Sequence, residues 1–216
     1  MYTPKAFEVT DLPLLHAAMK QSELATLVTT TTHGLVATHL PLLLDETRGE
    51  YGTLIGHVSR ANVQWRETDP EAEALIIFLG LDSYITPNWY PAKQETGRVV
   101  PTWNYSAIHA YGRIAFFEDV EKLRTVVTDL TTKHEASFPA PWQVTDAPAV
   151  YIDSQLKAIV GFEFQIVRLE GKQKFNQNRS LEDRIGVIEG LRELKGERKT
   201  QVAELMEEIE SRQKTV

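Results

Sequence analysis

The chain has 216 residues, of which 42% are hydrophobic and 25% charged, as in a globular protein that buries an apolar core. Its formal net charge of −7 disfavours nonspecific attraction to nucleic-acid phosphates, and the lack of cysteine excludes disulfides and thiolate chemistry. The N-terminus shows no signal-peptide pattern, and no stretch reaches the roughly 18 apolar residues of a membrane span, so we expect a soluble, cytoplasmic protein.

The first third of the chain predicts one helix followed by strands. The helix begins near Asp11, a favourable N-cap, tolerates Pro13 in its first turn and ends at about Gln21. Apolar, β-branched runs then predict strands at residues 24–31, 35–44, 53–57 and 74–79. The first two strands are expected to pair as a hairpin across residues 32–34.

The remainder alternates loops, helices and two further strands. Three prolines and one glycine interrupt residues 82–104, and this composition predicts a long loop. Strands are predicted at 105–117 and 161–169, and helices after Asp119, before Ala158, from Ser180 to about Leu194, and after Gly196. The last helix carries a narrow apolar stripe, which predicts packing on a partner subunit or on its own chain; the stripe comprises Val202, Leu205, Met206 and Ile209.

The order of these elements predicts the fold class. Closely spaced strands with isolated helices, and without regular βαβ alternation, indicate a mainly β, α+β protein built on an antiparallel barrel. We predict a barrel domain over residues 1–179 and a C-terminal helical extension over 180–216.

Aromatic residues are concentrated in one segment. Two of the four tryptophans and four of the seven tyrosines lie between Tyr84 and Tyr111. Flat side chains held by prolines suit a planar heterocycle, and they suit equally the packing of a barrel rim or a dimer interface.

A second segment, residues 56–62, has features of a phosphate site. We expect a strand to end here and Ser59 to cap a short helix that runs through Trp65. Free backbone N–H groups, the Ser59 hydroxyl and the Arg60 guanidinium could then converge on one phosphate, although a serine N-cap is common without any ligand.

A third segment, Lys172 to Arg184, carries the one local concentration of basic residues. Its amides and cations could meet carbonyl and phosphate oxygens of a ligand, but the spacing alone favours a solvated loop before a helix. Other nucleotide and catalytic signatures are missing from the sequence. It has no glycine-rich dinucleotide or P-loop motif, no zinc-type histidine spacing and no serine nucleophile elbow.

Six ordered motifs give the chain a resemblance to a known family. They are Met1-Tyr2-x-Pro4-x-x-Phe7, Ala37-Thr38-His39-Leu40-Pro41, Gly56-His57-Val58-x-Arg60-Ala61-Asn62-x-x-Trp65, Tyr84-Ile85-x-Pro87-x-Trp89-Tyr90, Val99-Val100-Pro101-Thr102-Trp103-Asn104-Tyr105 and Lys174-Phe175-Asn176-Gln177-Asn178-Arg179. Together they resemble the PaiB-type FMN-binding negative transcriptional regulators, with Asn176 where serine is frequent.

The resemblance implies an FMN-binding split β-barrel, similar to pyridoxamine-phosphate-oxidase-like flavoproteins, that forms a homodimer with FMN at the subunit interface. Thr38, His39, Leu40 and Pro41 would run beside the flavin ring. Ser59, Arg60, Ala61 and Asn62 would hold the phosphate, and His57 is also expected to bind the cofactor. Trp103, Tyr105, Lys174, Gln177 and Asn178 would close the site, some of them from the partner subunit.

The family implies repression of genes for protease production and sporulation, but the residues do not show a mechanism. No helix-turn-helix is legible, and the acidic charge does not support direct DNA binding. A flavin-dependent oxidoreductase and a haem-binding split barrel remain alternatives, because bound FMN is itself redox-competent and some split barrels hold haem.

Overall fold

The computed structural model describes residues 1–213, which form eight strands, seven α-helices and three short 3-10 helices. The strands are β1 (Glu8–Val9), β2 (Ala25–Thr31), β3 (Gly34–Leu40), β4 (Leu43–Asp45), β5 (Thr53–Ser59), β6 (Ala74–Ile85), β7 (Thr102–Phe117) and β8 (Ile159–Lys174). The α-helices are α1 (Leu12–Gln21), α2 (Gln64–Glu67), α3 (Ala92–Thr96), α4 (Val120–Glu135), α5 (Ala149–Leu156), α6 (Leu181–Glu193) and α7 (Glu197–Gln213). Among the helices of residues 1–213, none is both long and apolar enough to cross a lipid bilayer.

The strands form one sheet in the order β3-β2-β6-β7-β8-β5-β4, with β1 paired to β8. Neighbouring strands run antiparallel in the pairs β2–β3, β2–β6, β4–β5, β5–β8 and β1–β8. The predicted class, an α+β protein built on an antiparallel sheet with added helices, is therefore confirmed.

Contacts divide the chain into two compact units. The first unit contains Met1–Thr10, Leu79–Ala107 and the chain from Gly171 onward; the second contains Asp11–Phe78 and Ile108–Glu170. Helices α6 and α7 thus share a unit with the Leu79–Ala107 segment. The division of domains at residue 179 stays a prediction.

The second unit is centred on β2, β5 and β8. Alternate residues of β2 are buried, from Ala25 and Leu27 to Thr29 and Thr31, as the period of a strand with one face in the core requires. Fully buried side chains of neighbouring strands complete this core, including Leu54, Ile76, Phe162 and Phe164. A smaller cluster joins α4 to α5 through Leu123, Ile152 and Leu156.

The core of the first unit includes the apolar stripe on α7. Val202, Met206 and Ile209 are buried and pack in one cluster with residues of α6 and of the aromatic segment. The other buried members of the cluster are Ile85, Tyr90, Phe175, Val187, Ile188, Leu191 and Ala203. Of the two predicted partners for this stripe, the structure shows its own chain.

Three predicted elements were wrong in their extent. The strand predicted over 35–44 divides into β3 and β4 at Pro41, which has no N–H to donate to a ladder. The predicted loop over 82–104 contains the end of β6, a 3-10 helix at Pro87–Trp89, helix α3 and the start of β7. Ser59 does not cap a helix: it ends β5, and α2 begins five residues later with Val63 at its N-cap.

Candidate functional site

The predicted flavin-binding residues fall into two groups, one in each unit. We call the residues of the second unit the strand group; its members are Thr38, His39, Leu40, Pro41, His57, Ser59, Arg60, Ala61 and Asn62. We call the residues of the first unit the turn group; its members are Trp103, Tyr105, Lys174, Gln177 and Asn178. Each group is described within its own unit, and their union in one site stays a prediction.

A buried amide organises the polar residues of the strand group. Thr38 Oγ1 donates to Gln64 Oε1 at 2.5 Å and accepts from Asn62 Nδ2 at 2.9 Å. Gln64 is fully buried, and its Nε2 donates to Thr29 Oγ1 at 3.0 Å. The structure thus brings Thr38 and Asn62 into direct contact beside Gln64. Sequence reasoning missed Gln64, although it lies two residues from the Asn62 of the motif.

The rest of the β3 motif alternates in exposure, as a strand requires. His39 is exposed and its Nδ1 is 2.9 Å from Thr26 Oγ1, whereas the Leu40 side chain is buried in the core. Leu40 can therefore meet a ligand only through its backbone. Pro41 follows the strand and is half-buried.

His57, on β5, carries an unsatisfied polar atom. Its Nδ1 is buried and has no hydrogen-bond partner among residues 1–213. Burial lowers the pKa of His57 below its usual range, so the imidazole is neutral at neutral pH. A neutral ring with a free buried nitrogen suits the hydrogen-bonding edge of a heterocyclic ligand, because that contact would remove the cost of the unmet bond.

The backbone around the predicted phosphate site is already satisfied. The N–H groups of Arg60, Ala61 and Asn62 donate to Ala158 O at 2.8 Å, Ser59 Oγ at 3.2 Å and Ser59 O at 2.9 Å. The expected free N–H groups at a helix start after Ser59 are therefore absent from this segment, and that prediction was wrong. Any phosphate contact here has to come from side chains.

The Arg60 side chain is held by three acceptors. Nε donates to Lys157 O at 2.7 Å, Nη2 donates to Ile159 O at 3.2 Å, and Nη1 is hydrogen-bonded to the carboxylate of Glu118. Its guanidinium also lies 6.0 Å from the centre of the Trp65 ring. Arg60 thus already binds the oxyanion of Glu118. A phosphate group, like a carboxylate, accepts charge-assisted hydrogen bonds from a guanidinium.

The turn group is built on a left-handed residue. Asn176 has φ of 65° and is buried; its Oδ1 accepts from Asn104 Nδ2 at 2.5 Å, and its Nδ2 donates to Tyr90 Oη at 2.9 Å. Asparagine tolerates this backbone conformation better than most residues. Asn104 and Tyr90 belong to the quoted motifs, but their role in shaping this turn was missed.

The predicted ligand residues of the turn group differ in whether their side chains are already hydrogen-bonded within the protein. The Gln177 amide is used inside its own turn, since Oε1 accepts from Phe175 N at 2.7 Å and Nε2 donates to Gln173 O at 2.6 Å. Lys174 Nζ donates to Thr102 Oγ1 at 2.6 Å, and burial lowers the pKa of Lys174. Asn178 is exposed.

The aromatic members of the turn group present rings at the surface of the first unit. Trp103 is 54% exposed and meets Tyr84 edge to face with 6.1 Å between ring centres. Tyr105 is half-buried, and Lys172 Nζ lies 5.0 Å from the centre of its ring.

The basic run of the first unit is not a free cationic surface. Lys172 is buried and donates to Tyr2 O at 3.0 Å. Arg184 pairs with Glu210 at 2.8 Å, and Arg179 lies over the Tyr90 ring at 4.9 Å. These contacts reduce the charge that this segment can offer to a phosphate backbone.

The antiparallel sheet with its helices gives the chain the α+β fold of the split-barrel class. A family model described as "Putative FMN-binding domain" matches residues 1–168, and the chain belongs to this family. It is 33% identical to "Protease synthase and sporulation protein PAI 2" of Bacillus subtilis, over 96% of this chain and 97% of that protein. An uncharacterized protein of Aspergillus fumigatus is 34% identical, with 90% and 92% of the two chains covered.

Two solved structures share the fold. A FAD and heme binding protein from Mycobacterium smegmatis matches with a TM-score of 0.58 at 15% identity, covering 82% of this chain and 78% of that one. The flavocytochrome Anf3 from Azotobacter vinelandii matches with a TM-score of 0.54 at 15% identity, covering 82% and 74%. At this identity the likeness concerns the fold alone.

Proposed function

We propose that this chain binds FMN and acts as a flavin-containing negative regulator of transcription of the PaiB type. The observation that carries the proposal is similarity over nearly the whole chain to the Bacillus protein named for protease synthesis and sporulation, together with membership of the FMN-binding family. The fold relatives named for FAD and haem support a planar cofactor in general.

The residues of the strand group fit FMN at both of its ends. The unsatisfied Nδ1 of His57 offers a hydrogen-bonding atom for the polar edge of the ring. Arg60 offers a guanidinium that already holds an oxyanion. Bound FMN would supply reversible electron and hydride acceptance, while the protein binds and orients it.

Titration of the purified protein with flavins and haem tests the cofactor. We expect FMN to bind with a shifted visible spectrum and more tightly than FAD or haem, because the chain lacks a glycine-rich pyrophosphate loop. Haem is a demanding control, since the neutral His57 nitrogen would also suit an iron ligand. A folded sample that takes up no FMN, or that binds haem with a Soret band in preference to flavin, would contradict the proposal.

We propose further that the functional species is a homodimer. The first unit exposes several large apolar side chains, among them Leu79, Tyr84 and Trp103, and such surfaces commonly mark protein interfaces. Light scattering at micromolar concentration should give the mass of two chains. The mass of a single chain would contradict it.

A further inference from the structure

Arg60 is fixed in place by main-chain atoms and not by its acidic partner alone. The carbonyl oxygens of Lys157 and Ile159 accept from Nε and Nη2, at 2.7 and 3.2 Å. These two bonds define the plane of the guanidinium. They leave the Nη1 side directed toward Glu118, and the Arg60 side chain is still 33% exposed.

Glu118 lies where another anion could replace it beside the Arg60 guanidinium. It lies between the end of β7 and Asp119, the N-cap of α4, and its side chain is 55% exposed. An ion pair this open to solvent contributes little to stability, so the carboxylate can leave without disturbing the fold. Because the two carbonyls keep hold of Arg60, another oxyanion could take the place of Glu118 without a movement of the guanidinium.

We propose that Glu118 is an internal competitor for the phosphate of the bound flavin, and that it sets how strongly the protein distinguishes phosphorylated from unphosphorylated flavin. The inference rests on the proposed FMN binding and names a residue that neither the motifs nor the family resemblance assigns. The phosphate of FMN takes over the Nη1 side of Arg60 as Glu118 is released. Riboflavin has no phosphate, so it binds without displacing Glu118.

The test compares FMN and riboflavin on the wild-type chain and on Glu118→Gln, by equilibrium fluorescence titration. Glutamine keeps the shape and one acceptor but loses the charge, so we expect FMN to bind about 3- to 10-fold more tightly to the variant. Riboflavin affinity should change by less than about 2-fold. Glu118→Ala should give the same pattern.

Glu121→Gln is the matched control. It removes one negative charge three residues further along the chain, in the first turn of α4, but Glu121 is 85% exposed and its ion pair is with Arg124, at 4.0 Å. A general gain in positive potential would strengthen FMN binding in this control as well, whereas release of Arg60 would not. Thermal unfolding should show that all three variants keep the wild-type midpoint within a few degrees.

The outcomes separate this inference from the proposed function. If both flavins bind and the Glu118 variants match the wild type for FMN, the inference alone is overturned. An equal gain with riboflavin, or in the Glu121 control, overturns it as well. If neither flavin binds any form of the protein, the proposed FMN binding fails and the inference falls with it.

Discussion

Glu163, on β8, shows how a few charged contacts make the stability of the second unit depend on pH. Its two carboxylate oxygens accept from Arg48 Nη1 and Nη2 at 2.8 Å each, and Lys122 Nζ lies 2.8 Å from Oε1. The hydrogen bonds from Arg48, followed by those from Lys122, lower the pKa of Glu163 from 4.5 to about 2. The folded state therefore holds this carboxylate ionised at a pH where the unfolded chain would be protonated.

The stabilisation from Glu163 is present above the unfolded pKa of 4.5 and is lost as the pH falls toward the folded pKa of about 2. We expect Glu163→Gln to reduce the free energy of unfolding by about 1–3 kcal/mol at pH 7, since the side chain is only one-fifth exposed. The difference from wild type should shrink below pH 4.5 and become small as the pH falls through about 2. Urea unfolding across this range measures it.

The control for this prediction is Glu71→Gln, at an exposed position where the described structure gives the carboxylate no ion pair. Its difference from wild type should stay small at every pH. A Glu163→Gln deficit that remained constant from pH 7 to pH 2 would show that packing, and not ionisation, accounts for the loss.

Also at the scale of residues, local signals were readable and distant partners were not. Asn176 has a left-handed backbone conformation, which asparagine tolerates better than most residues. The turn it forms lies in a segment where the sequence predicted a loop. Its partner Asn104, however, lies 72 residues away along the chain. In the same way the Arg60 motif was visible in the sequence, but the acceptors Lys157 and Ile159 were not.

At the scale of elements, the starts of α1, α4 and α6 were predicted correctly because their signals are local. Asp11 and Asp119 cap α1 and α4 through side-chain bonds to Leu14 N at 2.8 Å and Lys122 N at 2.7 Å. Ser180 likewise accepts from Asp183 N at 3.2 Å. In a capping box the side chain of the third helical residue would accept a hydrogen bond from the N-cap N–H. Here Asp183 Oδ1 instead accepts from Ala92 N at 3.1 Å.

Strand ends were predicted poorly because pairing partners decide them. β8 extends five residues beyond its predicted end at 169, and there it pairs with β1, a two-residue strand too short to recognise in the sequence. The error at Ser59 has the same origin: antiparallel pairing with Ile159 holds Ser59 in β5. Because Ser59 is still part of a strand, its side chain does not cap a helix.

At the scale of the whole molecule, the family and the class of fold followed from the sequence because motifs were spread along nearly all of it. The chemistry within the candidate site did not, because it depends on which donors are already used. Arg60 and Gln177 both look free in the sequence and are both engaged in the structure. His57 was among the predicted cofactor-binding residues, but the sequence did not reveal that its buried Nδ1 has no partner in the described chain.

The proposed regulatory role raises the question of how an acidic protein would act on genes, and direct DNA contact is the least supported route. The net charge is −7, and most cations of the basic run in the first unit are already engaged within the protein. Lys172 is buried, and Arg184 is paired with Glu210. If Lys174 serves the flavin, fewer cations remain. Counterion release from so few groups gives weak binding without base readout. We therefore infer that regulation works through flavin state or a partner protein.

We predict that the FMN-loaded protein binds promoter duplex only weakly, in about the micromolar range or above at physiological salt. A scrambled duplex of the same length should bind equally, and both should weaken as salt is raised, because phosphate contacts carry no sequence information. Fluorescence anisotropy with the two labelled duplexes measures this directly, with Arg179→Gln as a variant that should lower the common affinity. Nanomolar binding to the promoter with a clear preference over the scrambled duplex would contradict the prediction and require a recognition element formed by other residues.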